Sequence, residues 1–374
     1  MRVLLVSHHA PPHVGGLENL VSLEAQALVD AGHEVEWLTT RPHRATSPDI
    51  DPPQDPCPVT RVAAWHIAER TASIAYPFPS PRFVTAFRRM ARPVDAVHVH
   101  GFVFPTTILA AFAKPRSKRM ILTDHGGILH YRSRLATWTL RAIIETAGRY
   151  VTRRADAAIA YNSDVERLLR RLAKYPERVS FLPNPIDLDV FHPVDATERR
   201  SIRQRLGWDD SPRALFVGRL VEDKGIDILA DAIDDAYRVV YVGPGSPETV
   251  ERLHRIADVL EPRPQHELAD LYRAADVLAL PSWNEGFPVV IQEALCCGCP
   301  VVTTDTPAYD RYRQLNGLST CSLEPERVRE ALLRCLQNAA RRDEIAAQAR
   351  LFFGDPLTWS RRLLSIGFDD SDAR

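Results

Sequence analysis

Short apolar runs recur along the chain, each followed by a polar stretch with glycine or proline and then by a segment of helical periodicity. Arg2 to Ser7 is such a run, followed by His8-His9-Ala-Pro-Pro-His13-Val-Gly15-Gly16 and an amphipathic segment from Leu17 to Ala31 that Gly32 ends. Val35–Thr39, Ala96–His100, Met120–Asp124 and Ala157–Ala160 repeat the apolar part. Helical segments are expected over Arg82–Arg92 and Arg132–Arg154, and from Ser163, where Ser163-Asp-Val-Glu166 reads as a capping box. The second half repeats the plan: Arg213–Val217, a polar loop, a helix to Leu229, then Tyr241–Gly245, a helix over Leu268–Ala274, and Val277–Leu280. Strands alternating with helices predict mostly parallel sheets, in which ligands bind at the carboxyl ends of the strands. His98, His100 and the Thr123-Asp124-His125-Gly126-Gly127 stretch fall at such ends. Arg41 to Pro58, with six prolines, has no periodicity and reads as a long loop.

At 374 residues and 45 % hydrophobic content, the chain exceeds what one core comfortably supports. The expected division is 1–186, 187–355 and a C-terminal helix over 356–374. The longest membrane-span candidate, Ala96 to Ala113, is broken by His98, His100, Gly101 and Pro105. Val3 to Val6 is too short for the core of a signal peptide, so a cytoplasmic chain is expected. Cys296, Cys297 and Cys299 lack the paired Cys or His of a structural zinc site and read as buried free thiols. The net charge of −1 hides an asymmetry: residues 82–178 carry 19 Lys+Arg against 7 Asp+Glu. No nucleic-acid recognition motif accompanies that excess. An anionic bilayer, a soluble anionic acceptor and plain solvation remain as its uses.

Two spacings carry chemistry. Glu285 stands in a Gly/Pro-punctuated loop after an apolar strand, and Glu293 lies eight residues on, in the helix that Pro288 opens. Two carboxylates so placed can accept from the hydroxyls of a sugar and from a ribose diol, or merely cap and solvate a helix. Arg219 and Lys224 fall near a helix start, a poor place for cations unless an anion is bound there. Gly15-Gly16 lets backbone approach a phosphate at another helix start, although no dinucleotide fingerprint is present.

The stretch Glu285-Gly-Phe287-Pro288-Val289-Val-Ile-Gln-Glu293-Ala-Leu resembles the E-x7-E signature of glycosyltransferase family 4, the retaining enzymes of the GT-B fold. Gly218-Arg219-Leu-x-x-x-Lys224-Gly225 and Pro183-Asn184-Pro185-Ile186-Asp187 extend the likeness, with Pro185 where the family has glycine. The resemblance implies two Rossmann-like α/β domains facing across a cleft, the first for the acceptor and the second for the donor, with the helix from Trp359 crossing back to the first. It implies catalytic roles for His125, Arg219, Lys224 and Glu285, with His125 beside the transferred sugar. Gly15, Gly16, Gly218, Phe287, Pro288, Val289 and Glu293 would bind the donor, a UDP-, GDP- or ADP-sugar. The acceptor would be a sugar or lipid-linked glycan, at the inner face of the membrane if the basic region docks there. No cofactor and no metal are expected; Asp187-x-Asp189 matches a metal pattern of another glycosyltransferase fold but reads as a hinge. One departure stands out: the family often has Gly-Gly-x-x-Glu where this chain has Thr306-Pro307-Ala308-Tyr309-Asp310. An epimerase or hydrolase on the same scaffold, or a non-catalytic nucleotide-sugar binder, is the alternative.

Overall fold

A computed structural model describes residues 1–11, 13, 16–42, 55–67, 76–124, 134–283, 285–338 and 341–368. The chain forms two units, Met1–Pro185 with Pro356–Arg374, and Ile186–Asp355.

The first unit is built on a seven-stranded parallel sheet. Its strands are β1 (Arg2–Val6), β2 (Glu34–Thr40), β3 (Val59–Val62), β6 (Ala96–His100), β7 (Arg119–Asp124), β8 (Ala157–Ala160) and β9 (Val179–Phe181), in the order β3-β2-β1-β6-β7-β8-β9. A small antiparallel pair, β4 (Ala64–Trp65) and β5 (Phe78–Pro79), stands apart. The helices are α1 (Gly16–Asp30), α2 (Arg82–Ala91), α3 (Pro105–Ala113), α4 (Arg134–Ile143), α5 (Arg149–Arg154) and α6 (Ser163–Leu172). The central strands β1, β6, β7 and β8 are almost wholly buried, as a parallel sheet covered on both faces requires. Val21, Ala25 and Leu28 of α1 pack on Val3, Leu5, Val35 and Trp37 of the sheet. Fully burying one such aliphatic side chain contributes about 1.5–3 kcal/mol. The Trp37 indole N–H, which could not be left bare there, donates to Ser7 Oγ at 2.9 Å.

The expected continuous helix over 132–154 is interrupted. A π-turn, Ile144–Gly148, joins α4 to α5, and Thr152 Oγ1 donates back to the Gly148 carbonyl at 2.8 Å. Gly148 sits where a Cβ would come within 2.8 Å of the Phe102 ring, so the extra residue of the turn lies at a close approach. The capping box is also displaced by one residue. Asn162, extended at φ −142°, accepts from Val165 N at 2.8 Å and is the cap; Ser163 is already helical.

The second unit holds a six-stranded parallel sheet, β12-β11-β10-β13-β14-β15. These are β10 (Arg213–Val217), β11 (Arg238–Val242), β12 (Asp258–Leu260), β13 (Val277–Leu280), β14 (Val301–Thr304) and β15 (Leu318–Cys321). The helices are α7 (Ala196–Arg205), α8 (Ile226–Asp231), α9 (Pro247–His254), α10 (Gln265–Ala274), α11 (Val289–Cys296), α12 (Pro325–Gln337) and α13 (Arg342–Phe353). Counted within the unit this is the order 3-2-1-4-5-6, whose direction reverses between its first and fourth strands, β10 and β13. The first sheet reverses in the same way between β1 and β6.

The last helix, α14 (Pro356–Phe368), belongs to the first unit. Trp359 and Leu363 pack on Ile121, Ile159 and Leu182, and the Trp359 indole donates to the Pro183 carbonyl at 2.7 Å. Cys296, Cys297 and Cys299 are buried free thiols, and burial raises all three above the usual thiol range. Asp187 Oδ1 accepts from the backbone of Asp189 and Val190 at 3.0 and 3.2 Å, so this carboxylate fixes a turn. No helix among the described residues is long and apolar enough to cross a membrane.

Candidate active site

The second sheet delivers two loops to its reversal point. β10 ends at Val217, and Gly243, after the neighbouring β11, passes so close that a Cβ on it would lie 2.0 Å from the Gly218 carbonyl. Leu220 N then donates to the Pro244 carbonyl at 2.8 Å, holding the chain flat before the short turn Glu222–Lys224. Gly225 closes that turn at φ 73°, and a Cβ there would stand 1.7 Å from the Pro281 carbonyl. Only glycine lets the turn touch the loop that leaves β13. Two further bonds join them: Ser282 Oγ and Trp283 N both donate to the Asp223 carbonyl, at 3.1 and 3.0 Å.

This crossing brings Lys224 and Glu285 together across 61 positions of sequence. The ammonium forms an ion pair with Glu285 Oε1, which also accepts from Ser282 Oγ at 3.0 Å. Both side chains keep some solvent contact, 22 % for Lys224 and 14 % for Glu285. Arg219 is exposed just beyond Gly218, and its guanidinium has no hydrogen bond or ion pair among the described residues. Two cations and one carboxylate at the carboxyl ends of β10 and β13 can hold an anion beside a hydroxyl-bearing group.

The remaining donor candidates divide between backbone and core. Pro288 is the N-cap of α11, Val289 its half-buried first residue. Phe287 is buried, its ring stacked on Tyr312 at 3.4 Å and edge-on to Tyr309 at 5.1 Å. Its side chain therefore packs the loop from within the core. Tyr309, in the segment Thr306–Asp310, is itself buried. Glu293 is buried in α11 and accepts from the Tyr272 hydroxyl at 2.8 Å. Burial pushes its carboxyl up to about 7, the Tyr272 bond pulling slightly the other way.

In the first unit, imidazoles gather at the corresponding reversal. His8 stacks on Phe104 at 3.9 Å, His9 on His13 at 4.3 Å, and His13 Nδ1 lies 2.9 Å from Glu18 Oε1 at the start of α1. Burial drives His8 down to about 4 and His9 to about 2, with neighbouring imidazoles adding to the effect. His98 and His100 are buried on β6, and Gly16 opens α1. Gly15 and His125 lie outside the described residues.

Residues 14–190 match Glycosyltransferase Family 4 and residues 211–338 match Glycosyl transferases group 1. A D-inositol 3-phosphate glycosyltransferase of Xylanimonas cellulosilytica is 31 % identical over 93 % of this chain and 91 % of its own. This chain belongs to the family 4 glycosyltransferases. Two solved structures share its GT-B fold of two Rossmann-like domains. Anabaena HepE in complex with UDP superposes with a TM-score of 0.76 at 19 % identity, over 98 % of this chain and 99 % of that one. Sucrose-phosphate synthase from Thermosynechococcus elongatus gives 0.77 at 20 % identity, over 97 % of both. As a family 4 glycosyltransferase, the chain is an enzyme that moves a sugar.

Several contributors had no sequence signal. Ser282 and the Asp223 carbonyl act through contacts across the crossing, and Tyr272 reaches Glu293 from a different helix. The Pro-Ser that precedes Trp283 does mark the end of β13, so Ser282 was findable as a loop residue but not as a partner of Glu285.

Proposed function

We propose that the enzyme transfers a sugar, with retention at the anomeric carbon and without a metal in the transfer step, from a UDP-sugar to a phosphate-bearing acceptor. The observation that carries this reading is the ion pair between Lys224 and Glu285 at the reversal of the second sheet. With no donor bound, Glu285 neutralises Lys224. An arriving diphosphate competes for the ammonium, with Arg219 as its second cation, and the released carboxylate takes a sugar hydroxyl. The same exchange prepares the leaving group, because the charge that grows on the β-phosphate as the glycosidic bond breaks already faces fixed cations. The acceptor oxygen then attacks from the leaving-group side and its proton passes to the departing phosphate, so no enzymic nucleophile is used. Glu293, with one oxygen held by Tyr272, offers the other to the ribose diol.

UDP is the favoured nucleotide because HepE, whose fold this chain shares, was crystallised with UDP and with UDP-glucose. A phosphate-bearing acceptor is favoured by the relative that acts on D-inositol 3-phosphate, and by the basic excess of the first unit. A lipid-linked acceptor at an anionic membrane is the second reading. Arg82, Arg88, Arg89, Arg92, Arg116 and Arg141 are exposed, as are the apolar Phe112 and Trp138. Other members of the same stretch are not available to a bilayer. Phe83 and Phe87 point into the core, and Lys114 is buried with its ammonium on Asp156 at 2.9 Å.

The test is a UDP-release assay with a panel of UDP-, GDP- and ADP-sugars, with and without D-inositol 3-phosphate, followed by NMR of the product anomer. Acceptor-dependent release of UDP and a product anomer matching the donor are expected. Acceptor-independent release would make the chain a hydrolase, and an inverted anomer would refute retention.

A further inference from the structure

Beneath the first sheet's reversal lies a cluster that sugar transfer does not use. Glu24, on the buried face of α1, meets His98 and His100, which alternate by two along β6 and so share one face of the sheet. All three are at most 1 % exposed. Glu24 Oε1 bonds His98 Nδ1 closely, and Glu24 Oε2 lies 3.5 Å from His100 Nε2. The three candidate ligand atoms fall within 4.8 Å of one another. No Lys or Arg forms an ion pair with Glu24 among the described residues. A carboxyl group in a dry core either holds a proton or needs a positive charge beside it.

The geometry points to a divalent metal site of the zinc class at Glu24, His98 and His100. One carboxylate and two imidazoles form a donor set that zinc accepts, and imidazole suits zinc, nickel and copper rather than magnesium or calcium. With metal–ligand bonds of about 2.0–2.1 Å, two ligands on a tetrahedral ion stand roughly 3.3–3.4 Å apart, close to the Glu24–His100 separation. That separation is long for a hydrogen bond. His98 has its other nitrogen 2.7 Å from Thr123 Oγ1, the kind of outer partner that fixes a ligating ring. On binding, the proton shared by Glu24 and His98 leaves, and the ion takes its place between them. The site ties α1 to β6 inside the first unit. It is structural and does not depend on the donor chemistry proposed above.

Metal content decides it, independently of turnover. The full chain, expressed without a polyhistidine tag in zinc-supplemented medium and passed through a desalting column, should carry about one zinc per chain by elemental mass spectrometry. Growth with cobalt in place of zinc should give the visible bands of tetrahedral Co²⁺ without the intense thiolate charge-transfer band. Glu24→Gln, which keeps shape and hydrogen bonding, should lose at least tenfold of the metal while its circular dichroism stays that of the parent. His100→Asn should do the same. A metal-free parent that is indifferent to added Zn²⁺ in a thermal melt would overturn the site, leaving Glu24 and His98 as a proton-sharing pair. Metal retained in both variants would also overturn it and would move the ion to Cys296, Cys297 and Cys299.

Discussion

The two sheets reverse strand order in the same way, and each brings a strand–loop–helix to its reversal, yet the chemistry placed there differs. The second unit uses ionic side chains: Arg219, Lys224 and Glu285 stand half-buried or exposed at the ends of β10 and β13. The first uses imidazoles, and burial holds His8 near 4 and His9 near 2, so both are neutral at physiological pH. A nucleoside diphosphate is a multiply charged anion and calls for cations. An acceptor hydroxyl needs orientation without charge, which neutral imidazoles supply as single donors or acceptors. The comparison teaches that the topology only locates a site, while side-chain type and burial decide whether the site binds charge or directs hydrogen bonds.

The largest effect should come from breaking the fixed charge. Lys224→Ala should lower kcat by an amount on the order of 10²–10³, the scale for loss of one preorganised donor, and Arg219→Ala should act in the same direction. Glu285→Gln sharpens the point, because it frees Lys224 from its partner: UDP should bind at least as tightly as to the parent while transfer is lost. Calorimetric UDP titrations paired with steady-state rates measure both. Rates within a factor of two of the parent for Lys224→Ala, or weakened UDP binding in Glu285→Gln, would mean the pair is structural.

The next effect, a few kcal/mol, concerns the buried acid of the second unit. Burial raises Glu293 from 4.5 to about 7, so between those values the folded protein holds a proton that the unfolded chain has released. This group's contribution to stability is therefore full below pH 4.5 and lost as pH rises through 7. Glu293→Gln cannot titrate, so denaturant melts should show it gaining on the parent by about 3 kcal/mol between pH 4.5 and pH 8. The same variant should bind UDP more weakly. A stability difference that does not change with pH would show that the carboxyl is ionised in the folded state. A gain in stability with unchanged UDP affinity would leave Glu293 as a core acid bonded to Tyr272, with no part in the donor site.

Much of this was legible from periodicity and from one motif. The apolar runs and glycine stops located β1, β6, β7, β10 and β13, and the E-x7-E spacing located the loop of Glu285. Contacts across the fold were not legible. Nothing local in Lys224 or Glu285 announces the ion pair, which exists because Gly225 admits the Pro281 carbonyl. Glu24 reads as an ordinary polar position of α1, and only the folded sheet sets it against His98, 74 residues away. The basic region was only partly legible for the same reason, since charge counting does not distinguish Arg88, which is exposed, from Lys114, which is neutralised in the interior.

That last distinction sets the smallest of the effects, and it asks whether the first unit adds a charged surface to its uncharged interior site. Of the basic excess, Lys114 is paired with Asp156, Lys118 donates to the Val94 carbonyl at 2.7 Å, and Arg154 donates to the Ala111 and Lys114 carbonyls. These hold helices and loops to one another and leave the exposed arginines of α2, Arg116 and Arg141 to meet a partner. Each basic residue that reaches an anionic bilayer contributes about 1 kcal/mol, and Trp138, 68 % exposed on α4, would sit at the headgroup level. Vesicle co-sedimentation should show binding to anionic and not to neutral lipid, with release as salt shortens the Debye length below about 8 Å. Arg88→Glu with Arg89→Glu should weaken binding by a factor of ten or more, and Lys114→Gln should leave the lipid dependence unchanged, whatever it does to stability. Equal pelleting with both lipids, or none with either, would remove the membrane from the account and leave the exposed arginines to a soluble phosphorylated acceptor or to solvent.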